Sequence, residues 1–280
     1  MNNPQDPLQN RNKYIGASDA PIIMKVNPWT TPYQLCMEKI GLGHPRLDNY
    51  AMQMGRERED EARSKFEELT GLTMFPKVIY TDECKFVRAS LDGIDLEQKN
   101  ILEIKCPGKV DHEKAMDGVI PEKYFPQLQH QLFVTRLDHV NYFSYTRESN
   151  KRIIVERDQA YIDNMFKEHC KFWECVQNEQ PPELCDRDYV EKTDDFWFEV
   201  ENLWKVTKRD LKILEQKEKQ LRDTLISMSS NSNCRGRQVQ VTKCVRKGQI
   251  DYEAMPQLKD ADFELYRKPS TEYWKIGEVK

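Results

Sequence analysis

The stretch ILEIKCP, residues 101–107, has the apolar composition of a buried β-strand, yet it carries an acid and a base two positions apart. Because side chains alternate along a strand, Leu102, Ile104 and Cys106 share one face, and Glu103 and Lys105 share the other. An isolated acid and base at this spacing are most often a solvent-facing ion pair. The stretch therefore predicts a strand and leaves the purpose of its charged pair open.

A second carboxylate precedes this strand in the sequence RASLDGID, residues 88–95. Asp92 follows a short β-rich run and stands directly before Gly93, so we expect it where a strand ends or bends. The commonest use of Asp-Gly is a turn. Two carboxylates on adjoining strands, with a lysine beside them, can instead hold a hard divalent cation such as Mg²⁺ and stabilise charge on a phosphate.

The helix predicted at about 52–70 offers a third acid. Its apolar stripe is marked by Ala62, Phe66 and Leu69, and at 100° per residue Glu59 falls beside that stripe. Glu59 is therefore the acid of this helix that faces inward. The alternative is an acid at the border of the stripe that extends to water.

The helix predicted from Pro121 to about Thr135 carries two amides beside its buried face, Gln127 and Gln131. A glutamine at such a border can hydrogen-bond a ligand or water of a site. More often it is an ordinary surface amide, so the helix alone does not decide between the two.

The order of the predicted elements indicates a mixed α/β core that closes near residue 180. Two short helices around a Pro-Trp loop come first, followed by strands and helices in alternating groups. We expect strands at 73–80, 86–91, 101–106, 139–146 and 152–158, and helices at 52–70, 121–135 and 158–177.

We predict two regions, a core over 1–182 and a C-terminal extension over 183–280. Apolar residues recur at roughly helical spacing over 196–228, which predicts a long amphipathic helix. The tail is expected to form a small β-hairpin around Lys247 and Gly248. The extension could pack on its own core or serve as an interaction module.

Composition excludes several classes of protein. With 38% hydrophobic and 32% charged residues, the chain is typical of a soluble globular protein. No apolar run is long enough to span a bilayer and the first residues lack a signal sequence, so we expect no membrane association and a cytoplasmic location. The net charge of -4 argues against a basic footprint over the whole surface, although a local basic channel remains compatible with it.

Taken together and in this order, these motifs resemble the lambda-exonuclease and YqaJ-type viral recombinase family of the PD-(D/E)XK nuclease superfamily. The resemblance covers about residues 10–175. Its fold is a restriction-endonuclease-like α/β core with a central mixed sheet flanked by helices. Leu91 stands where the superfamily has a proline, a departure that affects a spacer. The matching segments are IGASDAPIIM (15–24), NPWTTPYQL (27–35), GREREDEAR (55–63), SLDG (90–93), LEIKCP (102–107) and YFPQLQHQLFVTR (124–136).

The resemblance implies a metal site made by Asp92, Glu103 and the main-chain carbonyl of Ile104. Glu59 would contact the metal through water, and Lys105 would position or activate the attacking water. The metal implied is Mg²⁺, with Mn²⁺ as a possible substitute.

The resemblance assigns roles to four further residues. Gln127 would help to hold the metal site together. The 5′-phosphate of the digested strand would be bound by Arg11, Ser18 and Ser90.

The function that the resemblance implies is a 5′→3′ exonuclease that acts on the ends of linear double-stranded DNA. It would release mononucleotides and leave 3′ single-stranded tails for phage-type recombination. The family likeness also implies a homotrimeric ring around the DNA and a single-strand annealing protein as partner.

Two other functions remain open from the sequence. One is an endonuclease or a CRISPR-adaptation-type nuclease with an iron–sulfur cluster. The other is a non-catalytic DNA-binding or assembly protein, against which the intact Asp92, Glu103 and Lys105 argue. The eight cysteines follow no regular framework and indicate free thiols. The imagined cluster ligands are Cys36, Cys170, Cys175 and Cys185.

Overall fold

The structure is a computed structural model that describes residues 11–43, 50–81 and 83–244. Within these ranges the chain forms two compact units, which divide between Tyr189 and Val190. The first unit contains a five-stranded mixed sheet in the order β1-β2-β3-β4-β5, in which only the β3–β4 pair is parallel. Its strands are β1 (Phe75–Tyr80), β2 (Arg88–Ile94), β3 (Ile101–Lys105), β4 (His139–Tyr145) and β5 (Asn150–Glu156).

Helices flank this sheet, and the predicted α/β fold class is therefore confirmed. Short 3₁₀ turns at Arg11–Lys13, Ala17–Asp19, Glu122–Tyr124 and Asp186–Asp188 supplement the helices. The helices of the first unit are α1 (Ala20–Ile23), α2 (Pro32–Lys39), α3 (Tyr50–Thr70), α4 (Lys109–Met116), α5 (Phe125–Thr135) and α6 (Gln159–Gln177).

Local sequence explains where several helices begin and end. Thr31 caps α2 through a reciprocal pair of bonds with Gln34, and Pro32 supplies the fixed φ of a first helical residue. Asp158 caps α6 by accepting from the backbone N–H of Tyr161 at 2.9 Å. Helix α5 ends where Arg136 takes a left-handed φ of 60°.

The core lies on both faces of β3. Leu102 and Ile104 pack with Phe66 of α3 on one face of the sheet. On the other face Ile101 packs with Leu128 of α5. A strand covered on both sides explains the near-continuous apolar run of ILEIK, and it makes the charged residues of that strand exceptional.

Two details of the predicted elements are wrong. Leu69 is 55% exposed, so the buried stripe of α3 ends at Phe66. Helix α4 was not predicted at all, because only His112 and Ala115 of its eight residues are buried and no apolar stripe marks it.

The second unit contains α7 (Asp195–Met228), none of whose 34 residues is buried. A two-stranded antiparallel ladder of β6 (Cys234–Arg235) and β7 (Gln240–Val241) follows it. The hairpin predicted around Lys247 and Gly248 lies outside the described residues. In the described part of the chain, no helix is both long and apolar enough to cross a membrane.

Candidate active site

The candidate site lies where β2 and β3 separate. The two strands pair at only two positions, Gly93 with Leu102 and Ile94 with Ile101. Beyond that point the carboxylate of Asp92 accepts the backbone N–H of Ile104 through Oδ2 at 2.7 Å, in place of a ladder bond. Asp92 thereby bridges the opening between the strands.

Asp92 is therefore not a turn residue, contrary to the usual meaning of Asp-Gly. It lies inside β2, two residues before the strand ends. Gly93 serves close packing, since a Cβ at that position would stand 2.8 Å from Cβ of Met74 and 3.3 Å from Cβ of Leu102. The expectation that a strand ends or bends at Asp92 is not met, because β2 continues to Ile94.

Glu103 is a buried carboxylate, only 2% exposed, so the solvent-facing ion pair considered for it is excluded. Its Oε1 accepts from the Lys105 ammonium and, at 2.6 Å, from Nε2 of Gln127. Its Oε2 accepts from Nε2 of Gln131. A buried charge is tolerated only when it is paired and hydrogen-bonded, and the three donors meet that requirement.

Lys105 lies beside Glu103, with its Nζ 5.3 Å from the centre of the Tyr124 ring. Burial works to lower the pKa of Lys105, but the carboxylates of Glu103 and Asp92 outweigh burial and raise it to about 12. The side chain is 22% exposed, so the ammonium can still be approached from solvent.

Glu59 of α3 lies near Glu103 and Lys105, and Arg63 fixes its position. The guanidinium of Arg63 donates to Glu59 Oε1 at 2.6 Å, to Asp60 Oδ1 at 2.7 Å and to the main-chain carbonyl of Asp92 at 2.8 Å. Partial burial raises the pKa of Glu59; Arg63 opposes that rise and the Glu103 carboxylate adds to it. Glu59 therefore lies on the side of α3 that faces Glu103 and Asp92.

Two residues of this arrangement were given no role from the sequence, Arg63 and Gln131. Arg63 fixes α3 to the backbone of β2 and orients Glu59 at the same time. Gln131 is fully buried and was recognised only as an amide beside a helix face. The spacing of four residues, from Glu59 to Arg63 and from Gln127 to Gln131, is the signal that could have identified both.

The donor set fits a hard divalent cation. Burial, together with the nearby Glu103 carboxylate, raises the pKa of Asp92 well above its ordinary value, while Lys105 opposes the rise. A cation held by Asp92, Glu103 and the main-chain oxygen of Ile104 would relieve this repulsion between carboxylates. Among the described residues, no group of three or more His, Cys, Asp or Glu side chains is arranged to hold a metal.

The four cysteines considered as ligands of an iron–sulfur cluster all lie in the described part of the chain. Cys36 is buried, Cys175 is partly buried, and Cys170 and Cys185 are exposed. They form no metal-binding group of three or four ligands. The geometry thus offers no support for that alternative.

The residues predicted to bind the 5′-phosphate lie near the start of β2. Arg11 donates to the hydroxyl of Ser18 at 3.4 Å. Ile15 forms a parallel bridge to Val87, which holds this N-terminal segment against β2. Ser90 is exposed on β2 and, two residues before Asp92, shares its face of the strand.

Comparison with known proteins identifies related sequences. Residues 7–138 match the model of the YqaJ-like viral recombinase domain. The protein YqaJ of Bacillus subtilis is 33% identical over 172 residues, which cover 59% of this chain and 54% of YqaJ. A protein of Acanthamoeba polyphaga mimivirus is 26% identical over 157 residues, covering 48% of this chain and 27% of that protein. The chain thus spans about half the length of the Bacillus relative and less of the viral one.

Two solved structures are similar in fold and in sequence. The alkaline exonuclease LHK-Exo of Laribacter hongkongensis is 26% identical with a TM-score of 0.54, and the match covers 61% of this chain and 91% of that one. LHK-Exo in complex with dAMP matches at 25% identity and a TM-score of 0.53, with the same coverage. The resemblance to lambda-exonuclease and YqaJ-type proteins is confirmed, and the neighbours agree with the prediction of a DNA nuclease.

Proposed function

We propose that this protein is a Mg²⁺-dependent 5′→3′ exonuclease of linear double-stranded DNA. It would release mononucleotides and leave 3′ single-stranded tails for recombination. The observation that carries the proposal is the buried Glu103, held by Lys105, Gln127 and Gln131 beside Asp92. The similarity to an exonuclease that binds dAMP, a mononucleotide, supports it.

The proposed chemistry divides the work among the residues of the site. Mg²⁺ held by Asp92, Glu103 and the main-chain carbonyl of Ile104 would supply Lewis-acid stabilisation of charge that develops on the scissile phosphate. Lys105 would orient the attacking water and neutralise negative charge, since its ammonium is fixed beside Glu103. Glu59 would bind the metal through water.

The remaining residues position the carboxylates and the DNA. Gln127 fixes one oxygen of Glu103 and thereby its orientation toward the metal. Arg11, Ser18 and Ser90 would bind the terminal 5′-phosphate, because a guanidinium and hydroxyl groups are suited to phosphate oxygens. These contacts would favour phosphorylated ends.

The proposal extends to a homotrimeric ring, to a single-strand annealing protein as partner and to action in the cytoplasm of a bacterial host. A ring reconciles the net charge of -4 with DNA binding, since only the lining of its channel needs to be positive. Mn²⁺ would replace Mg²⁺ in the same oxygen ligands.

The proposal is tested by digestion of linear duplex DNA, with and without a 5′-phosphate, beside a closed circular control. The wild type should degrade only linear DNA and prefer phosphorylated ends, Lys105→Ala should be inactive, and Ser90→Ala should lose the preference. Lys99→Ala is the matched control, because Lys99 is 74% exposed and also pairs with a neighbouring glutamate. Cutting of the circle would indicate an endonuclease, and inactivity on all DNA would favour a binding protein.

A further inference from the structure

Trp29 is an exposed aromatic residue on a constrained loop. It is 68% exposed, although Asn27 Oδ1 accepts from its backbone N–H at 2.9 Å and from that of Thr30 at 2.8 Å. Arg187 donates to the carbonyl of Asn27 at 2.8 Å and fixes the start of the loop. The indole is thus presented to solvent by a backbone that is already ordered.

A chain of cation–aromatic contacts connects Trp29 to the candidate active site. The Lys123 ammonium lies 4.6 Å from the centre of the Trp29 ring and 5.2 Å from that of Tyr124, and the Lys105 ammonium lies on Tyr124 at 5.3 Å. Asp111 holds Lys123 in place at 2.6 Å, with both side chains 20% exposed. Three contacts, Trp29–Lys123, Lys123–Tyr124 and Tyr124–Lys105, therefore connect Trp29 to the lysine of the candidate active site.

This arrangement has the features of a surface that binds single-stranded nucleic acid. An aromatic ring offers a stacking face to any base, and neighbouring cations offset the charge of the backbone. Ordering the loop before binding reduces the entropy lost on association. Lys123 covers one face of the indole and leaves the rest of the ring available.

We propose that Trp29 stacks on a nucleobase next to the scissile phosphate and so helps to hold the digested strand in the site. The inference rests on the proposed nuclease function and assigns to it a base-binding position outside the carboxylate cluster. Lys123 orients the indole and adds positive charge beside the strand. Stacking of this kind is independent of base identity, which suits an enzyme that digests any sequence.

A Trp with only a structural role has a different environment in this chain. Trp173 is partly buried and its ring stacks on Phe86, with 5.1 Å between centroids and 8° between planes. Trp197 is exposed at 50% and has Lys192 5.7 Å from its ring centre, but it belongs to the second unit. Trp197 is consequently a matched control for an exposed indole beside a lysine.

The test is the rate of release of the first nucleotide from 5′-phosphorylated duplexes that each carry one abasic site near the 5′ end. For the wild type, loss of the base at one position should slow release by about 5- to 150-fold. Trp29→Ala should slow release from intact DNA by a similar factor. In this variant the abasic site should slow release no further, so the two effects on the rate should not be additive. Trp29→Phe should recover part of the rate, and Trp197→Ala should behave as the wild type.

The outcomes separate this inference from the proposed function. The stacking role would be overturned if the abasic site slowed release equally in the wild type and in Trp29→Ala, or in neither. The proposed nuclease function would then still stand. Additive effects of Trp29→Ala and the abasic site would also overturn it. Absence of nucleotide release by the wild type would remove both proposals.

Discussion

Individual side chains around Glu103 determine the geometry of the site. A carboxylate that is 2% exposed keeps its orientation only if both oxygens have donors, and Gln127 and Gln131 supply one to each. Gln131 contributes its amide N–H group, while its Oε1 is buried and has no hydrogen-bond partner among the described residues. The unpaired Oε1 of Gln131 therefore lowers the stability of the fold, while the Nε2 group of the same side chain holds Glu103 in the candidate site.

Gln131→Leu should reduce activity by about 10- to 100-fold, since it removes a donor that orients Glu103, the proposed metal ligand. Its stability should fall by about 1–3 kcal/mol, because Oε2 of the buried Glu103 carboxylate loses its donor, while removal of the unsatisfied Gln131 Oε1 offsets part of that loss. Nucleotide release per folded molecule and urea unfolding measure the two effects.

Gln129→Leu is the control on the same helix. Gln129 is fully buried, donates to the carbonyl of Glu156 at 2.9 Å and accepts from the N–H of Asp158 at 2.9 Å. Its loss should lower stability and leave the activity of the folded protein unchanged. If Gln131→Leu behaved like Gln129→Leu, the role given to Gln131 would be wrong.

Much of the candidate site could be predicted at the residue scale. Glu103 and Lys105 stand out because charge is unusual within an apolar strand, and Glu59 is identified by its angle to the helix stripe. Gln131 and Arg63 were not given roles, because Gln131 acts on Glu103 of β3 and Arg63 also bonds the main chain of Asp92 in β2, partners that lie far away in sequence. The strand predicted at 86–91 was ended too early, because close packing of Gly93 against Met74, which the sequence does not show, keeps Asp92 and Gly93 within β2.

Helix α5 joins the site to the rest of the core, and it does so through a buried pair of histidines shared with α6. His130 and His169 are fully buried with 5.1 Å between ring centroids, and His130 Nε2 contacts the carbonyl of Arg88 at 2.9 Å. Burial lowers the pKa of His130 to about 4. Burial and the neighbouring His130 lower the pKa of His169 well below its ordinary value, and Asp19 opposes the shift at both residues.

Stability should therefore depend on pH between about 4 and 6.5. A folded pKa below the unfolded value means that the unfolded chain takes up protons first, so the stability is fully present above pH 6.5 and is lost as pH falls toward 4. For His130 the loss amounts to roughly 3 kcal/mol over that window. Urea unfolding at a series of pH values measures it.

His130→Gln should flatten this dependence even though it lowers stability at neutral pH. His139→Gln is the matched control, since His139 is only partly buried and bonds to Asn100 at 3.3 Å. An unchanged slope in His130→Gln would show that the buried pair is not the cause.

Elements with a strong pattern could be predicted, and those without one could not. The central strands and α3, α5, α6 and α7 carry clear periodicity and lie close to their predicted positions. Helix α4 lacks a stripe, yet its Asp111 holds Lys123 beside Trp29. The separation of β2 from β3 also escaped prediction, because strand pairing depends on residues far apart in sequence.

The whole molecule contains more than the unit that carries the site. The described residues divide after Tyr189, and α7 exposes apolar side chains along its length in the second unit. Oligomeric state could not be derived from the sequence, because an interface depends on two surfaces that complement each other. The ring is therefore a proposal that rests on the family resemblance.

Light scattering after gel filtration should give three times the mass of one chain at micromolar concentration. A closed ring keeps the DNA enclosed, so digestion should also be processive. Partially digested strands of intermediate length should then be absent during the reaction. A monomeric mass would refute the ring without affecting the chemistry of the site.

The most direct test of the account is the Mg²⁺-dependent rate of nucleotide release by Glu103→Gln. This variant keeps the size of the side chain and removes the negative charge with which Glu103 is proposed to bind the metal. Glu97→Gln is the control, because Glu97 is 71% exposed and also pairs with a lysine. We predict a loss of at least about 100-fold for Glu103→Gln and none for Glu97→Gln. A folded Glu103→Gln protein with a rate within about twofold of the wild type would contradict the assignment of this cluster as the active site.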